Sequence, residues 1–341
     1  MSETLLNRFA RYSLCHAPTP LEPMTRLSQL LGGPRLWVKR DDCTGLAGGG
    51  NKTRKLEFLL GEALAQGADC LVTHGAVQSN HVRQTAAAAC RAGLACHALL
   101  ERRVPDTGTE YEDNGNVLLD RIFGATIDYR PAGLDMNAEV EAEGRRLRAL
   151  GRRPYVIPGG GSNPTGALGY VACALELVAQ AQAQHLRIDH LITATGSAGT
   201  HAGLVAGLHA IGAELPVTGI SVRQPRERQI DAVHDLAVRT ALLLGAGAPA
   251  RAMVRVDDAY VGPGYGMPAE STFEAIAIAA RHEGLLLDPV YSGKGFAGLL
   301  GMIREGAFRS DENIVFLHTG GAIGLFAYES ALRAHIGHDP R

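Results

Sequence analysis

The basic side chains of this chain are divided unevenly: of 33 lysine and arginine residues, four are lysine, at Lys39, Lys52, Lys55 and Lys294. Arginine stays protonated and cannot condense with a carbonyl, whereas a buried lysine sheds its proton and becomes a nucleophile. Where arginine meets most demands for positive charge, each remaining lysine asks for its own reading. Lys52 stands in Gly48-Gly49-Gly50-Asn51-Lys52-Thr53-Arg54-Lys55, with glycines opening space before it and a helix expected just after it. A solvated lysine in a turn is the plain reading. The run also approaches the triphosphate loop G-x-x-x-x-G-K-[ST]. Gly45 and Gly50 have the right spacing, but Asn51 intervenes before Lys52 and no suitable apolar strand leads in.

A second signal is Ala194-Thr195-Gly196-Ser197-Ala198-Gly199-Thr200-His201-Ala202-Gly203. It follows an apolar run and opens an Ala/Gly/Leu helix. A glycine-rich turn from strand to helix presents backbone N–H groups and a helix N-terminus to an anion. Ser197 and Thr200 add hydroxyl donors, which suits one phosphate group. The dinucleotide pattern G-x-G-x-x-G is not matched, and no acidic residue follows about 20 positions on. One lysine able to form an imine and one monophosphate cradle together suit pyridoxal phosphate. That cofactor supplies an electron sink, and its protein supplies tether, phosphate grip and ring electronics.

Other candidates carry a plainer alternative beside the chemical one. Tyr265 and Tyr291 read either as core aromatics or, from their Gly/Pro surroundings, as loop residues at a site. His318 follows an apolar strand and reads as structural, with its neighbour Thr319 the better functional candidate. Lys55 and Lys294 fall at expected helix starts and read as solvated or paired. The acidic run Glu139 to Glu143 reads as an exposed helix face. Arg223 ends an apolar strand, where sites of α/β sheets gather, and suits either an anionic substrate group or a salt bridge.

Elements must bring these residues together. Short apolar runs alternate with helical stretches: Cys70–Thr73, Ala95–Leu100, Thr126–Tyr129 and Tyr155–Pro158 as strands, with helices near 80–92, 114–123 and 136–150. Leu191–Ala194, Val217–Val222 and Ile314–Leu317 continue the pattern. Buried strands alternating with helices predict an α/β fold of parallel sheets. The 341 residues, 46% of them hydrophobic, suit two domains. The expected division is a small inserted α/β domain, 56–158, within a large one built from 1–55 and 159–341. A net charge of −2 without a basic stripe gives no support to a nucleic-acid partner. The most apolar helical stretch, Ala167 to Ala181, is too short to span a membrane and includes Glu176. The start lacks a signal-like apolar run, so a cytoplasmic location is expected. Six scattered cysteines without a Cys-x-x-Cys pair predict buried free thiols and no metal site.

Taken together, the motifs carry a resemblance. Lys39-Arg-Asp-Asp42, Gly49-Gly-Asn-Lys-Thr-Arg-Lys55, Gln78-Ser-Asn-His81, Gly160-Gly-Ser-Asn163, Gly196-Ser-Ala-Gly199, Gly264-Tyr-Gly266, Asp288-Pro-Val-Tyr291 and His318-Thr-Gly-Gly321 run nearly end to end. The chain resembles the fold-type II pyridoxal-phosphate enzymes (tryptophan synthase β-like), and within them the D-cysteine desulfhydrase and 1-aminocyclopropane-1-carboxylate (ACC) deaminase family. Asp42-Cys-Thr-Gly-Leu46, Asn114-Gly-Asn-Val-Leu-Leu119, Gly133-Leu-Asp-Met-Asn137 and Gly159 to Thr165 are most similar to L-cysteate sulfo-lyases. The resemblance implies two parallel-sheet α/β domains, a homodimer, and a small amino acid as substrate. It makes Lys52 the Schiff-base lysine, with Ser79, Tyr265 and Tyr291 as further catalytic residues. Asn80, Thr195, Gly196, Ser197, Ala198, Gly199, Thr200, Ser292 and Thr319 would bind the cofactor. Gln78, Ser79 and His81 would meet the substrate carboxylate, and His81 and Arg223 are the cationic candidates near a sulfonate.

ACC deaminases carry a glutamate after the second tyrosine, at the pyridine nitrogen. Ser292 stands there in this chain, which weakens the case for ring opening and leaves β-elimination. The expected reaction converts L-cysteate to pyruvate, sulfite and ammonia. The alternative is a D-cysteine desulfhydrase releasing sulfide, followed by an ACC deaminase or a non-catalytic cofactor-binding protein.

Overall fold

A computed structural model describes residues 5–105 and 107–338. The chain opens with β1 (Leu21–Pro23), α1 (Thr25–Leu31), β2 (Arg35–Arg40) and α2 (Lys52–Ala65). There follow β3 (Cys70–Ala76), α3 (Asn80–Ala92), β4 (Ala95–Arg102), α4 (Thr109–Asp113), α5 (Gly115–Ile122), β5 (Thr126–Pro131), α6 (Met136–Ala149) and β6 (Pro154–Ile157). The remainder is α7 (Pro164–Ala183), β7 (His190–Thr195), α8 (Gly199–Ala210), β8 (Val217–Ser221), α9 (Arg226–Leu244), β9 (Val254–Asp257), α10 (Glu270–Glu283), α11 (Ser292–Arg304), β10 (Asn313–His318) and α12 (Glu329–His338). Local chemistry sets the starts of the helices that matter here. Ser79 caps α3, Asp135 caps α6, and Asn163 caps α7 with Pro164 in the first turn.

Two sheets result. A six-stranded one runs β1-β2-β10-β7-β8-β9, and a four-stranded one runs β5-β4-β3-β6. All pairings are parallel except β1 with β2. Helices cover the large sheet on both faces: Tyr170, Leu204 and Val233 pack on one, Leu27, Ile276 and Phe296 on the other. The small sheet is sandwiched likewise, with Leu56, Leu59 and Ala86 packing in one cluster and Met136, Val140 and Leu147 in another. Every strand of the small sheet lies between residues 70 and 157, inside the segment expected as the inserted domain.

The strand orders fix where a ligand can sit. In the small sheet, β4 and β5 extend from one side of β3, and β6 returns to the other. In the large sheet, β8 and β9 extend from one side of β7, and β10 returns to the other. Such reversals open a crevice outside the carboxyl ends of the strands. The segments leaving β3, β6, β7 and β10 all line the cleft described below.

All six cysteines are free thiols, as their scatter predicts, although Cys43 and Cys90 are exposed rather than buried. No helix among the described residues is long and apolar enough to cross a membrane.

Candidate active site

A cleft of about 290 Å³ lies at the strand ends. A smaller pocket shares Lys52, Asn80, Gly196, Ser197 and Tyr291 with it. Lys52 is the first residue of α2, and the chain reaches it through Gly48, Gly49 and Gly50, all at positive φ. At Gly49 any side chain would collide with the Asp42 carbonyl at 1.8 Å, so the approach is closed to other residues. Lys52 is 9% exposed. Burial lowers its amine to about 8 from 10.5, against the pull of Asp288 and with the help of Arg83. A buried amine near neutrality is what attack on a carbonyl requires.

The helix carrying Lys52 is clamped from below. Arg54 bonds Asp41 through Nε at 2.8 Å and Glu176 through Nη2 at 2.8 Å. Tyr170 donates to Asp41 at 2.6 Å, and Lys39 pairs with Glu176. This network ties α2 to α7 and β2, and it accounts for the carboxylate inside the otherwise apolar α7.

The turn after β7 forms the second wall. Ala198 adopts a left-handed φ of 70°, and α8 begins at Gly199. A Cβ at Gly199 would sit 2.7 Å from both Lys55 Nζ and Ser162 Oγ. The position of Lys55 at a helix start suggests a solvated or paired side chain; the structure buries it and pairs it with no carboxylate among the described residues. It is 1% exposed and donates to the Gly160 carbonyl at 3.0 Å and to Ser162 Oγ at 3.4 Å. Burial, with the charge of Lys52 adding to it, holds the Lys55 amine well below its usual value. Thr200 accepts a bond from Asn51 at 2.9 Å, and Thr195 accepts one from Gln229 at 2.8 Å.

The third wall is a tyrosine pair. The hydroxyls of Tyr265 and Tyr291 lie 2.7 Å apart, and Lys52 Nζ stands 5.9 Å from the centre of the Tyr291 ring. The Arg103 guanidinium stacks 5.0 Å from the Tyr265 ring and is held by Glu101. Burial pushes Tyr291 well above 10, and Tyr265 up against the opposing influence of Arg103. Both phenols therefore keep their protons at neutral pH.

Residues 12–320 match the family model described as pyridoxal-phosphate dependent enzyme. The chain belongs to that family. It is 47% identical over 325 residues to a D-cysteine desulfhydrase of Serratia proteamaculans (strain 568), covering 95% of this chain and 97% of the relative. A solved ACC deaminase homologue superposes with a TM-score of 0.88 at 37% identity, over 98% of each chain. The processed form of threonine deaminase isoform 2 from Solanum lycopersicum shares the fold, with a TM-score of 0.65 at 15% identity over 94% of this chain and 84% of that one. This pyridoxal-phosphate enzyme thus has the α/β fold-type II architecture. The 47% relative bears the name of the alternative substrate, D-cysteine, rather than L-cysteate.

The residues present fit the cofactor. The N-terminus of α8, with no side chain at Gly199, offers N–H groups to one phosphate, and the Lys55 amine adjoins them. An anion there would favour the charged form of an amine whose burial disfavours it. Lys52 shares the small pocket with this turn, with Asn80 and with Thr319.

Most of the expected site residues converge on the cleft or pocket: Lys52, Ser79, Asn80, His81, Tyr265 and Tyr291, the turn 195–198, Thr200 and Thr319. Three others, Gln78, Gly199 and Ser292, do not line it. The Gln78 amide is turned away, donating to the carbonyls of Tyr111 at 2.5 Å and Asn114 at 2.9 Å. The Ser292 hydroxyl donates to Asp288 at 2.6 Å and accepts from its N–H at 2.8 Å. His81 lines the cleft but is no cation: burial, with Lys52 and Lys55 adding, holds it well below 6.5.

Sequence reasoning missed Arg103, His74, Asn137 and Arg83. The first three line the cleft from just after β4, from β3 and from α6. Arg83 is fully buried and bonds Asn80 Oδ1 at 3.0 Å and the Gly49 carbonyl at 2.9 Å, so it orients both. Arg103 and His74 were open to the strand-end argument that singled out Arg223. Among the described residues, no carboxylate lines the cleft, and no group of His, Cys, Asp or Glu is placed to hold a metal.

Proposed function

We propose that this enzyme performs α,β-elimination on a small amino acid bearing sulfur at its β-carbon, with D-cysteine as its preferred substrate. Sulfide, pyruvate and ammonia are the products. The observation that carries the reading is the placement of a near-neutral Lys52 amine and the hydrogen-bonded Tyr265–Tyr291 pair on one cleft. Bound pyridoxal phosphate supplies the sink for the electrons released at the α-carbon. Lys52 takes the α-proton, since an amine near 8 both accepts and returns a proton at neutral pH. The tyrosine hydroxyls hold a proton for the departing sulfur. Asn80, Thr319 and the turn 195–200 would hold the cofactor, while Ser79 and the first turn of α3 would meet the substrate carboxylate. The sequence relative named for D-cysteine supports the choice of thiol.

L-cysteate is the second reading, and Arg223 favours it. That residue lines a cleft without carboxylates and has no acidic partner among the described residues. A sulfonate needs such a cation. The deciding measurement is kcat/KM for D-cysteine and L-cysteate on one preparation, with sulfide and sulfite assayed separately. An advantage for L-cysteate of about tenfold, roughly 1.4 kcal/mol in transition-state stabilisation, reverses the proposal. The homodimer implied by the resemblance belongs to the same proposal and is read by light scattering.

A further inference from the structure

Lys294 is the third residue of α11 and is completely buried. It lines neither cleft nor pocket. Its amine donates to two backbone carbonyls, Val261 at 2.5 Å and Gly264 at 2.7 Å. Both belong to the connection between β9 and α10, which contains Gly262, Gly264 and Gly266 and carries Tyr265. Gly262 and Gly266 have φ of 66° and 72°. A glycine-rich connection of this kind has much conformational freedom to lose and does not hold a side chain in place unaided. On its other side, Tyr328 donates to the Gly266 carbonyl at 2.7 Å. Both residues flanking Tyr265 are thus fastened, and Val261 with them.

The far end of the arrangement is the same helix start. Tyr291 directly precedes α11, and its hydroxyl meets that of Tyr265 at 2.7 Å. We infer that Lys294 is a positioning residue: it fastens the Tyr265 loop to the first turn of α11 and so holds Tyr265 against Tyr291. An ammonium is suited to this task because it offers three donors from one point, which no apolar residue of equal volume replaces. Burial lowers the Lys294 amine to about 8, with Asp288 opposing. A charge kept in so unfavourable a place has partners that need it. The inference rests on the elimination reading, in which the tyrosine pair acts on the leaving group. It does not depend on which sulfur group leaves.

The experiment is a double-mutant cycle on the holoenzyme, with whichever of D-cysteine and L-cysteate is turned over. Lys294→Met should lower kcat by about tenfold or more, with KM changed by less than about twofold. Added to Tyr265→Phe, it should change kcat by less than about twofold, because its effect passes through the lost hydroxyl. Lys294→Gln keeps an amide donor and should fall between; it carries the same cycle if the methionine variant does not fold. Independently of activity, amides 261–267 should exchange hydrogen about tenfold faster in Lys294→Met. Multiplicative effects in the cycle, a rise in KM with kcat intact, or unchanged exchange in that loop each overturn the role given to Lys294. A Tyr265→Phe variant with undiminished kcat overturns the tyrosine reading instead. The exchange measurement then still decides whether Lys294 holds the loop, so the two failures are told apart.

Discussion

Replacing Gly199 with alanine should loosen the grip on the cofactor's phosphate and on nothing else. Gly199 has no left-handed φ, so alanine brings no backbone strain of its own. The cost is local: its methyl would lie 2.7 Å from Lys55 Nζ, 2.7 Å from Ser162 Oγ and 3.1 Å from Ser162 Cα. The Ser162 hydroxyl can rotate away, but its Cα belongs to the main chain and yields only with the turn. The Lys55 amine is held by the Gly160 carbonyl at 3.0 Å and has little room to retreat. One charged hydrogen bond to phosphate should be lost, about 1.5–3 kcal/mol. At 1.4 kcal/mol per decade that is roughly a 10- to 150-fold weaker Kd for pyridoxal phosphate. The assay is titration of cofactor-free protein followed by visible absorbance, run in parallel with pyridoxal, which lacks the phosphate. Pyridoxal affinity should stay within about twofold. Unchanged phosphate-ester affinity, or equal losses for both compounds, would refute the placement of the phosphate.

Borohydride reduction of the loaded enzyme should fix the cofactor on Lys52; a peptide labelled at Lys39, Lys55 or Lys294 would contradict the assignment. Cofactor uptake by the empty protein should quicken between pH 7 and 9 with a midpoint near 8, since only the neutral Lys52 amine attacks and its fraction grows as pH rises through that value. A flat profile would oppose it. ACC should be turned over at least about tenfold more slowly than the preferred sulfur substrate, because the resemblance aligns Ser292, whose hydroxyl Asp288 engages, with the glutamate of ACC deaminases; equal rates would overturn that electronic argument. Asp41→Ala leaves Arg54 buried beside a cavity and should cost about 3–5 kcal/mol of stability, read by urea unfolding; a loss below about 1 kcal/mol would mean that Glu176 alone satisfies the guanidinium.

The parts of the site that were legible in the sequence are those written in contiguous residues. The Gly196–Thr200 turn and the Gly48–Lys55 run each hold their chemistry within eight residues, and the structure keeps both at the cleft. The alternating apolar runs give seven of the ten strands, most of them buried parallel strands that have little else in them. Three strands escaped. The strand β2, paired on both sides, is Arg35-Leu-Trp-Val-Lys-Arg40, and its charges hide it. The edge strands β1 and β9 are three and four residues long. The misjudged lysines have a common cause. Lys55 and Lys294 stand at helix starts, which suggests solvated or paired side chains, but tertiary packing covers them and gives their amines carbonyls in place of water or a counter-charge. Arg103 stands just past a strand and Asn137 ends the motif Gly133-Leu-Asp-Met-Asn137, but neither signal tells that the strand order brings the residue to Lys52.

All four lysines are at most 9% exposed. The positive surface of this molecule is therefore arginine, and acylating reagents do not modify guanidinium groups at neutral pH. Apart from the α-amino group, and leaving aside the exposed thiols of Cys43 and Cys90, the folded chain offers such a reagent one amine. Lys52 lines the cleft and is blocked when the cofactor occupies it, while the other three amines are reached only when the fold opens. One acylated lysine then marks an empty site, and four mark a molecule that has lost its structure. A mass spectrum taken after a brief acylation would count loaded, empty and unfolded molecules separately in one sample.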